Sequence, residues 1–479
     1  MIKKAYIAGE WMETGKRLEV ASPYDGTVFA TVSLCGKEEI DQALAAAFDC
    51  RAEIAALEPY QRANALKTIR DTLEQRSEEF SRILSQENGK TIVESRLEVA
   101  RAVATFDIAA GESTRIYGEA YDLGINKMAA ERRCIVRYYP IGVVSAIAPF
   151  NFPLNLAIHK IAPAFAVGCP VILKPASKTP VTSLMLAEII EQSGLPKGAF
   201  SVVPSNRNAG QMLVKDERVN LLSFTGSPEV GWKMKRDAGK KKVVLELGGN
   251  AGLIIDSDIR QTDWDWLISR AITGAFYQSG QVCISVQRIF AHSEIYDEFR
   301  ERFVKAAEAL IPGNPLDEST TLGPIIDTDN RNRLQGWIRE AIEDGAKLLT
   351  GNTLAECGQG NCLRATILEN VDPGQKVCKE EAFGPVVTLF PVDTMKTAFD
   401  LVNDSDFGLQ CGIFTNDFNT VMQAFDALHV GGVIHNDVPA FRADSMPYGG
   451  VKDSGLGREG IRYAMQDMLE ERVLVYKMQ

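Results

Sequence analysis

The sequence predicts an α/β chain in which two doubly wound layers of strands and crossover helices carry a small extra β element. Three observations support this. Between residues 141 and 246, short apolar β-rich runs alternate with longer helical stretches, as parallel strands joined by crossover helices do. A second alternation of the same kind runs from about residue 253 to 436. Two further β-like pieces, 132–139 and 472–476, fit neither run.

The elements follow in order. Residues 37–118, rich in Ala, Glu, Leu and Arg, read as several helices. In the first layer the strands are 142–148, 171–174, 200–203, 221–224 and 243–245, separated by helical runs at 154–167, 181–193, 209–215 and 228–237. Ser227-Pro228-Glu229 starts the last of these with a capping hydroxyl, a proline at the first helical position and an acid in the first turn. In the second layer 287–291, 386–390, 412–414 and 432–434 read as strands, and 294–309 and 395–402 as helices. The pieces 132–139 and 472–476 are β-branched and aromatic; their exposed edges need cover, which predicts subunit association.

Composition narrows the function classes. The chain has 479 residues with 52 Lys+Arg against 63 Asp+Glu, a formal charge of −11, which disfavours nucleic acid and anionic membranes as partners. Hydrophobic residues at 45% and charged residues at 24% match a soluble globular protein. The nine cysteines are scattered rather than framework-spaced, and residues 1–13 lack a signal-peptide core, so the expected compartment is the cytoplasm. Residues 141–176 carry few charges, but Pro149, Asn151, Pro153, Asn155, His159, Lys160, Pro163 and Pro170 interrupt them, so no membrane span is expected. There is no HExxH, and Cys357 and Cys362 lack a second Cys or His pair at zinc spacing, so no metal is expected.

Several residues can carry chemistry. Cys283, after Gln278-Ser279-Gly280-Gln281-Val282, is flanked by small residues that admit a substrate; a buried thiol acting only as a small hydrophobe is the bland alternative. Glu246 ends an apolar strand before two glycines, where burial raises a carboxyl toward a useful general base; a solvated strand-end acid is its alternative. Asn151, in Ala-Pro-Phe-Asn-Phe-Pro, is an amide stiffened by two prolines and suited to an oxyanion, or else an ordinary turn asparagine. Phe-Thr-Gly-Ser ending at Ser227 offers a phosphate seat, and Lys174 ends a parallel strand at the edge where open α/β sheets bind ligands. The usual GxGxxG is missing; Pro204-Ser205-Asn206-Arg207 stands in its place.

Taken in order, Ala-Pro-Phe-Asn-Phe-Pro, Lys-Pro-Ala-Ser, Phe-Thr-Gly-Ser, Glu-Leu-Gly-Gly, Gly-Gln-Val-Cys, Glu-Glu-Ala-Phe-Gly-Pro and Pro-Tyr-Gly-Gly-Val-Lys-Asp-Ser-Gly closely resemble the NAD(P)-dependent aldehyde dehydrogenase superfamily over nearly the whole chain. The resemblance implies two Rossmann-like domains, dinucleotide-binding (1–121 and 141–251) and catalytic (252–465), and an oligomerisation element (122–140 and 466–479) in a homodimer or homotetramer. It implies Cys283 as nucleophile, Asn151 and the Cys283 N–H as oxyanion donors, and Glu246 as the base that hydrolyses the thioester. It assigns Lys174 and Glu381 to ribose hydroxyls, Ser227 to the pyrophosphate and Phe383 to the nicotinamide ribose, with Phe150 and Gly226 as further cofactor contacts. Ser177 stands where strict NAD users often carry a glutamate, which opens the site to NADP beside NAD. For the substrate it points to Phe152, Asn155 and His159 on one helix and to Arg101 and Arg442 as anion forks, and so to a small polar aldehyde: lactaldehyde-like, or short and anionic such as sulfolactaldehyde or a semialdehyde. For Arg101 the alternative is a surface salt bridge, and for Arg442 a loop pair with Asp444. Val282 counts against a phosphorylated substrate. A CoA-acylating enzyme and a catalytically retired homologue are the alternative functions.

Overall fold

The computed structural model describes residues 2–260 and 263–477; Met1, Gln261, Thr262, Met478 and Gln479, which fall inside the segments expected above, lie outside the described residues. Its first large sheet has five parallel strands in the order Phe200–Val202, Val171–Lys174, Val143–Ile147, Val219–Thr225, Lys242–Glu246. In chain order that is third, second, first, fourth, fifth, so the winding reverses between Val143–Ile147 and Val219–Thr225, where open α/β sheets form their ligand crevice. Helices Pro59–Gln75, Ser77–Asn88, Ile92–Glu112, Asn155–Val167 and Val181–Ile190 share one core over this sheet, while Leu222, Phe224 and Leu245 build another with Val214 and Ala238. Burial on both faces explains why Val143–Ile147 is buried throughout and, apart from Ser145, apolar rather than alternating.

The second sheet has the order Lys347–Thr350, Thr366–Glu369, Val386–Val392, Val286–His292, Ala251–Ile255, Gln410–Phe414, Gly432–His435, parallel except for its first strand. Only residues 247–250 link Lys242–Glu246 to Ala251–Ile255, so the ligand edge of the first sheet abuts the second. The two orphan β-like pieces pair with each other: Leu469–Lys477 runs antiparallel to Arg132–Pro140, and Glu119–Asp122 completes a three-stranded ribbon.

The structure differs from the sequence reading in identifiable places. Residues 455–465, expected in the catalytic segment 252–465, and 466–468, expected in the oligomerisation element, return to the first layer: Gly455–Leu456 pairs antiparallel with Lys242–Glu246, and helix Ile461–Asp467 buries Ile461 and Met465 in its core. Residues 119–121, expected in the dinucleotide segment, belong to the ribbon. The run 181–193 stops being helical at Ile190, where Ser193 Oγ donates to the Ile190 carbonyl (2.6 Å) and Gly194 takes a positive φ. The run 209–215 divides into two single turns, Arg207–Gly210 and Met212–Lys215. Ser227 occupies the N-cap position of Pro228–Asp237, but its hydroxyl makes no capping bond. Strands Ala5–Ile7 and Glu10–Met12, on the edge of the first sheet, and helix Thr328–Glu343 went unread; the helix buries only Leu334, Ile338 and Ala341 beneath a charged face.

Candidate active site

Cys283 lies between the tight turn Tyr277–Gly280 and strand Val286–His292. Gln278 and Ser279 are left-handed (φ 52° and 54°), a conformation that costs a non-glycine residue about 1–2 kcal/mol each. Side-chain bonds hold the turn there. Gln278 N–H donates to Glu94 (2.8 Å), Ser279 Oγ to the Gly323 carbonyl (2.8 Å), and Gln281 Oε1 accepts from Ile326 N–H (2.9 Å). Gly280 is obligatory, because a Cβ would collide with the Gly384 carbonyl.

The Asn151 loop is clasped to this turn. Asn88 Nδ2 donates to the carbonyls of Phe150 (2.7 Å) and Asn151 (2.9 Å), while its Oδ1 accepts from Gln278 Nε2 (2.7 Å). The Asn151 amide donates to the Gln281 carbonyl at 2.9 Å, two residues before the thiol. From the other side the Glu-Leu-Gly-Gly segment presses in so closely that a Cβ on Gly249 would collide with the Cys283 carbonyl, which requires the second glycine. Asn151, Glu246 and Cys283, far apart in sequence, thus converge from three strand ends. Phe152, Leu156, Val282, Ile284, Leu409 and Tyr448 form an apolar cluster against Cys283.

The electrostatics around the thiol are unusual. Cys283 Sγ lies 3.2 Å from the Tyr448 hydroxyl. Burial pushes the thiol up to about 12, with Glu381 and Glu246 adding to the rise and Tyr448 and Arg442 opposing it. Glu246 is buried and neither carboxyl oxygen has a hydrogen-bond partner. Burial, then repulsion from Glu459, raise it well above the usual carboxylate range, against Arg442, Lys160 and Arg458. Glu459 would also rise on burial, but Lys160 (2.9 Å) and Arg442 (3.0 Å) outweigh that and hold it at about 2. Lys160 also donates to Thr225 Oγ1 (2.7 Å) and Ser223 Oγ (3.2 Å).

The expected substrate residues divide. Asn155 and His159 are each 1% exposed and both bond Asp444 Oδ1, at 3.3 and 2.8 Å. Arg101 bonds the same carboxylate through Nη2 (2.7 Å) and Nε (3.3 Å). Burial would raise Asp444, but His159 and Arg101 hold it well below the usual range; burial and Arg442 lower His159. Arg442 is paired with Glu459, not with Asp444 as the loop-pair reading had it; its Nε is buried and unpartnered, and its guanidinium lies 3.7 Å over the Tyr448 ring.

At the crevice, Lys174 is mostly buried and its ammonium donates only to the Pro175 carbonyl (3.3 Å) among the described residues; burial, then Arg207, lower it to about 8. Ser177 and Ser227 are exposed, and Lys178 reaches Asp327 at 3.5 Å. Glu381 accepts from Gly249 N–H (2.9 Å), and burial lifts it to about 7. Phe383 has a positive φ of 50° and meets Phe150 edge-on with centroids 5.8 Å apart. Gly226 follows strand Val219–Thr225, its N–H donating to the Glu246 carbonyl (3.0 Å). A buried ammonium lacking a carboxylate, an exposed helix-start serine and the winding reversal fit a dinucleotide's hydroxyls and phosphates. Sequence reading missed Asn88, Lys160, Tyr448 and Glu459. Tyr448 stood inside a quoted motif; the others carried no local signal.

A doubly wound crevice meeting a buried thiol, amide and carboxyl marks the place where an α/β enzyme of this build would bind its ligands. The chain belongs to the aldehyde dehydrogenase family, whose sequence profile matches residues 11–474, and is therefore an oxidoreductase acting on aldehydes. It is 43% identical over 471 residues to the 3-sulfolactaldehyde dehydrogenase of Priestia aryabhattai, covering 98% of this chain and 97% of that one. Among solved structures it resembles aldehyde dehydrogenase 21 of Physcomitrella patens in complex with the reaction product succinate (TM-score 0.97, 46% identity, 99% and 98% covered). It also resembles the glyceraldehyde-3-phosphate dehydrogenase of Methanocaldococcus jannaschii complexed with NADP (TM-score 0.91, 36% identity, 97% and 100% covered). Among the described residues no helix is long and apolar enough to cross a membrane, and no cluster of His, Cys, Asp or Glu is arranged to hold a metal.

Proposed function

We propose that the protein oxidises a short aldehyde carrying an acidic group, a carboxylate or sulfonate, to the corresponding acid with NADP or NAD as hydride acceptor. Arg442 carries this reading: it is a buried cation beside the thiol, engaged through Nη2 with Glu459, and its own Nε has no partner among the described residues. A substrate anion supplies that partner as a charge-assisted bond. The relatives named for sulfolactaldehyde and crystallised with succinate support the same substrate class. The apolar wall of Phe152, Leu156 and Leu409 suits a carbon backbone between aldehyde and anion. Neutral lactaldehyde is the weaker reading, because Asn155 and His159 are engaged by Asp444.

In this mechanism Cys283 sulfur attacks the carbonyl carbon and the carbonyl π pair moves to oxygen. The Asn151 amide and the Cys283 N–H donate to that oxyanion. Lys174, Ser177, Ser227 and Glu381 would hold the dinucleotide, with Phe150, Phe383 and Gly226 against it; when bound, it would accept the hydride that the Cys283 adduct loses on becoming a thioester. Glu246, its proton affinity raised by burial, takes a proton from the water that hydrolyses the resulting thioester. The presence of Glu246 favours water over CoA as acceptor. Arg101, bonded to Asp444 and partly exposed, is the second candidate anion fork. We place the enzyme in the cytoplasm as a homodimer or homotetramer with no nucleic-acid or membrane partner; Val473, Leu474 and Val475, exposed on the ribbon, need the cover a second subunit gives. The test is reduced-nicotinamide formation over lactaldehyde, succinic semialdehyde, sulfolactaldehyde and glyceraldehyde 3-phosphate with each cofactor. Turnover of the carboxylate or sulfonate aldehydes, abolished in Cys283→Ala, is expected; preference for lactaldehyde would overturn the anionic reading.

A further inference from the structure

We infer that Tyr448 is a catalytic residue: its phenol O–H is the hydrogen-bond donor that stabilises the Cys283 thiolate. The inference rests on Cys283 being the nucleophile. Cysteine enzymes commonly ionise their thiol against an imidazole, a helix start or a neighbouring cation. Here no imidazole is hydrogen-bonded to the sulfur among the described residues: His429 is exposed, and the other three are engaged elsewhere. His159 bonds Asp444, His292 accepts from Glu294 N–H, and His435 bonds the Thr415 carbonyl. The carboxylates near the sulfur, Glu246 and Glu381, both oppose its ionisation. Tyr448 is the one side chain among the described residues hydrogen-bonded to Sγ, at 3.2 Å, and it is 3% exposed.

Its placement is secured from two directions. Backbone bonds in both directions join Tyr448 to Glu459, at 3.0 and 2.6 Å. The Arg442 guanidinium lies 3.7 Å over the ring and is itself fixed by Glu459 at 3.0 Å. A cation over the ring face draws electron density from the phenol and strengthens O–H as a donor. Once the thiol proton has left to water the sulfur can only accept, so the phenol hydrogen must point at it. The phenol keeps its proton throughout, and no bond is made or broken at Tyr448; the sulfur pair alone forms the C–S bond. The line Glu459–Arg442–Tyr448–Cys283 thus carries the influence of a buried cation to the thiol through one hydroxyl.

The test is the pH dependence of Cys283 alkylation by iodoacetamide, read by peptide mass mapping, in the parent and in Tyr448→Phe, which removes a single oxygen. Losing the bond lowers the thiolate fraction about tenfold, while the sulfur left behind is more nucleophilic by roughly the half-power of that change, so alkylation at pH 8 slows about threefold. The profile shifts to higher pH, with the melting temperature and cofactor affinity unchanged; a purely structural tyrosine would move those and not the profile. Superimposed profiles, or a faster variant, overturn the inference. Should the variant fail to fold, 3-fluorotyrosine at position 448, a more acidic phenol, is expected to accelerate alkylation at pH 8, and no acceleration overturns it equally. Turnover persisting in Cys283→Ala would sink the nucleophile reading; an inactive Cys283→Ala with unchanged Tyr448→Phe profiles would sink the tyrosine alone.

Discussion

Replacing Glu246 by glutamine separates the general-base role proposed for this side chain from its effect on stability. The substitution keeps volume and breaks no hydrogen bond, since both carboxyl oxygens are already unpartnered. It removes the base for thioester hydrolysis, a loss of about 100- to 10,000-fold in the deacylation step, while Cys283, Asn151 and the cofactor crevice stay in place. Stopped flow is expected to give one equivalent of reduced nicotinamide per subunit and then near-arrest, with the acyl group retained on the Cys283 peptide by mass. The second consequence concerns stability. The folded Glu246 carboxyl is raised above its ordinary value of 4.5, so folding favours its protonated form. Its contribution is intact below about 4.5 and is lost as pH rises through the folded value, by about 1.4 kcal/mol per unit of upward displacement. Glutamine has no such loss, so Glu246→Gln gains on the parent in urea melts as pH rises. Steady turnover within threefold of the parent, or parallel stability curves from pH 5 to 9, would refute the assignment.

Other consequences can be measured separately. Asn151→Ala is expected to lower kcat about 100- to 1,000-fold through loss of the oxyanion donor, with KM little changed; an unaltered kcat would exclude that role. Arg442→Met is expected to depress kcat/KM for carboxylate or sulfonate aldehydes by about 30-fold more than for neutral ones, equivalent to about 2 kcal/mol; equal losses on both would remove Arg442 as the anion anchor. Glu459 is held at about 2, so its stabilisation is present above about 4.5 and disappears as pH falls toward 2. Glu459→Gln is therefore less stable than the parent at pH 7, and acid titration in urea should show the gap closing over that window. Deleting residues 472–479 removes most of strand Leu469–Lys477 from the ribbon and should reduce the assembly state in light scattering; an unchanged mass would dissociate the ribbon from assembly.

What could be read from the chain follows the range of the signals. Strands Val143–Ile147, Val171–Lys174 and Val219–Thr225 announced themselves because both faces are buried, and the two orphan β pieces were visible because no helix period competes with them. Cys283, Glu246, Asn151 and Lys174 each end an element beside glycine or proline, where backbone constraint leaves a local mark. The first three strands are two or three residues long, too short for any period to show. Asn155 and His159 were correctly placed on one helical face, but spacing says nothing about what that face meets, and it meets the carboxylate of Asp444, more than 280 residues away. Lys160 and Glu459 escaped for the same reason: a buried ion pair between residues 299 apart has no local signature.

The return of residues 455–468 to the first layer explains why the site needs its buried charges. Gly455–Leu456 pairs beside Glu246, and Glu459, just beyond, is driven into the core with Lys160 and Arg442 around it. A buried ion pair seldom improves stability over an apolar one, so stability alone does not account for this cluster. Its effect on the two reacting groups does. Burial and Glu459 raise the proton affinity of Glu246, while Arg442, Lys160 and Arg458 limit the rise, so this carboxyl, without a hydrogen bond among the described residues, holds a proton more tightly than a solvated one. Arg442 simultaneously lowers the Cys283 thiol and presses on the Tyr448 ring. On the proposed reading, residues 442–459 therefore set the proton affinities of thiol and carboxyl together, and a substrate anion bound at Arg442 would withdraw part of that cation from both. Binding of the acidic group and readiness of the thiol are then coupled: an acetate- or sulfonate-bearing mimic should slow Cys283 alkylation in the parent and leave the rate unmoved in Arg442→Met, whereas equal slowing in both would mean simple occlusion of the pocket.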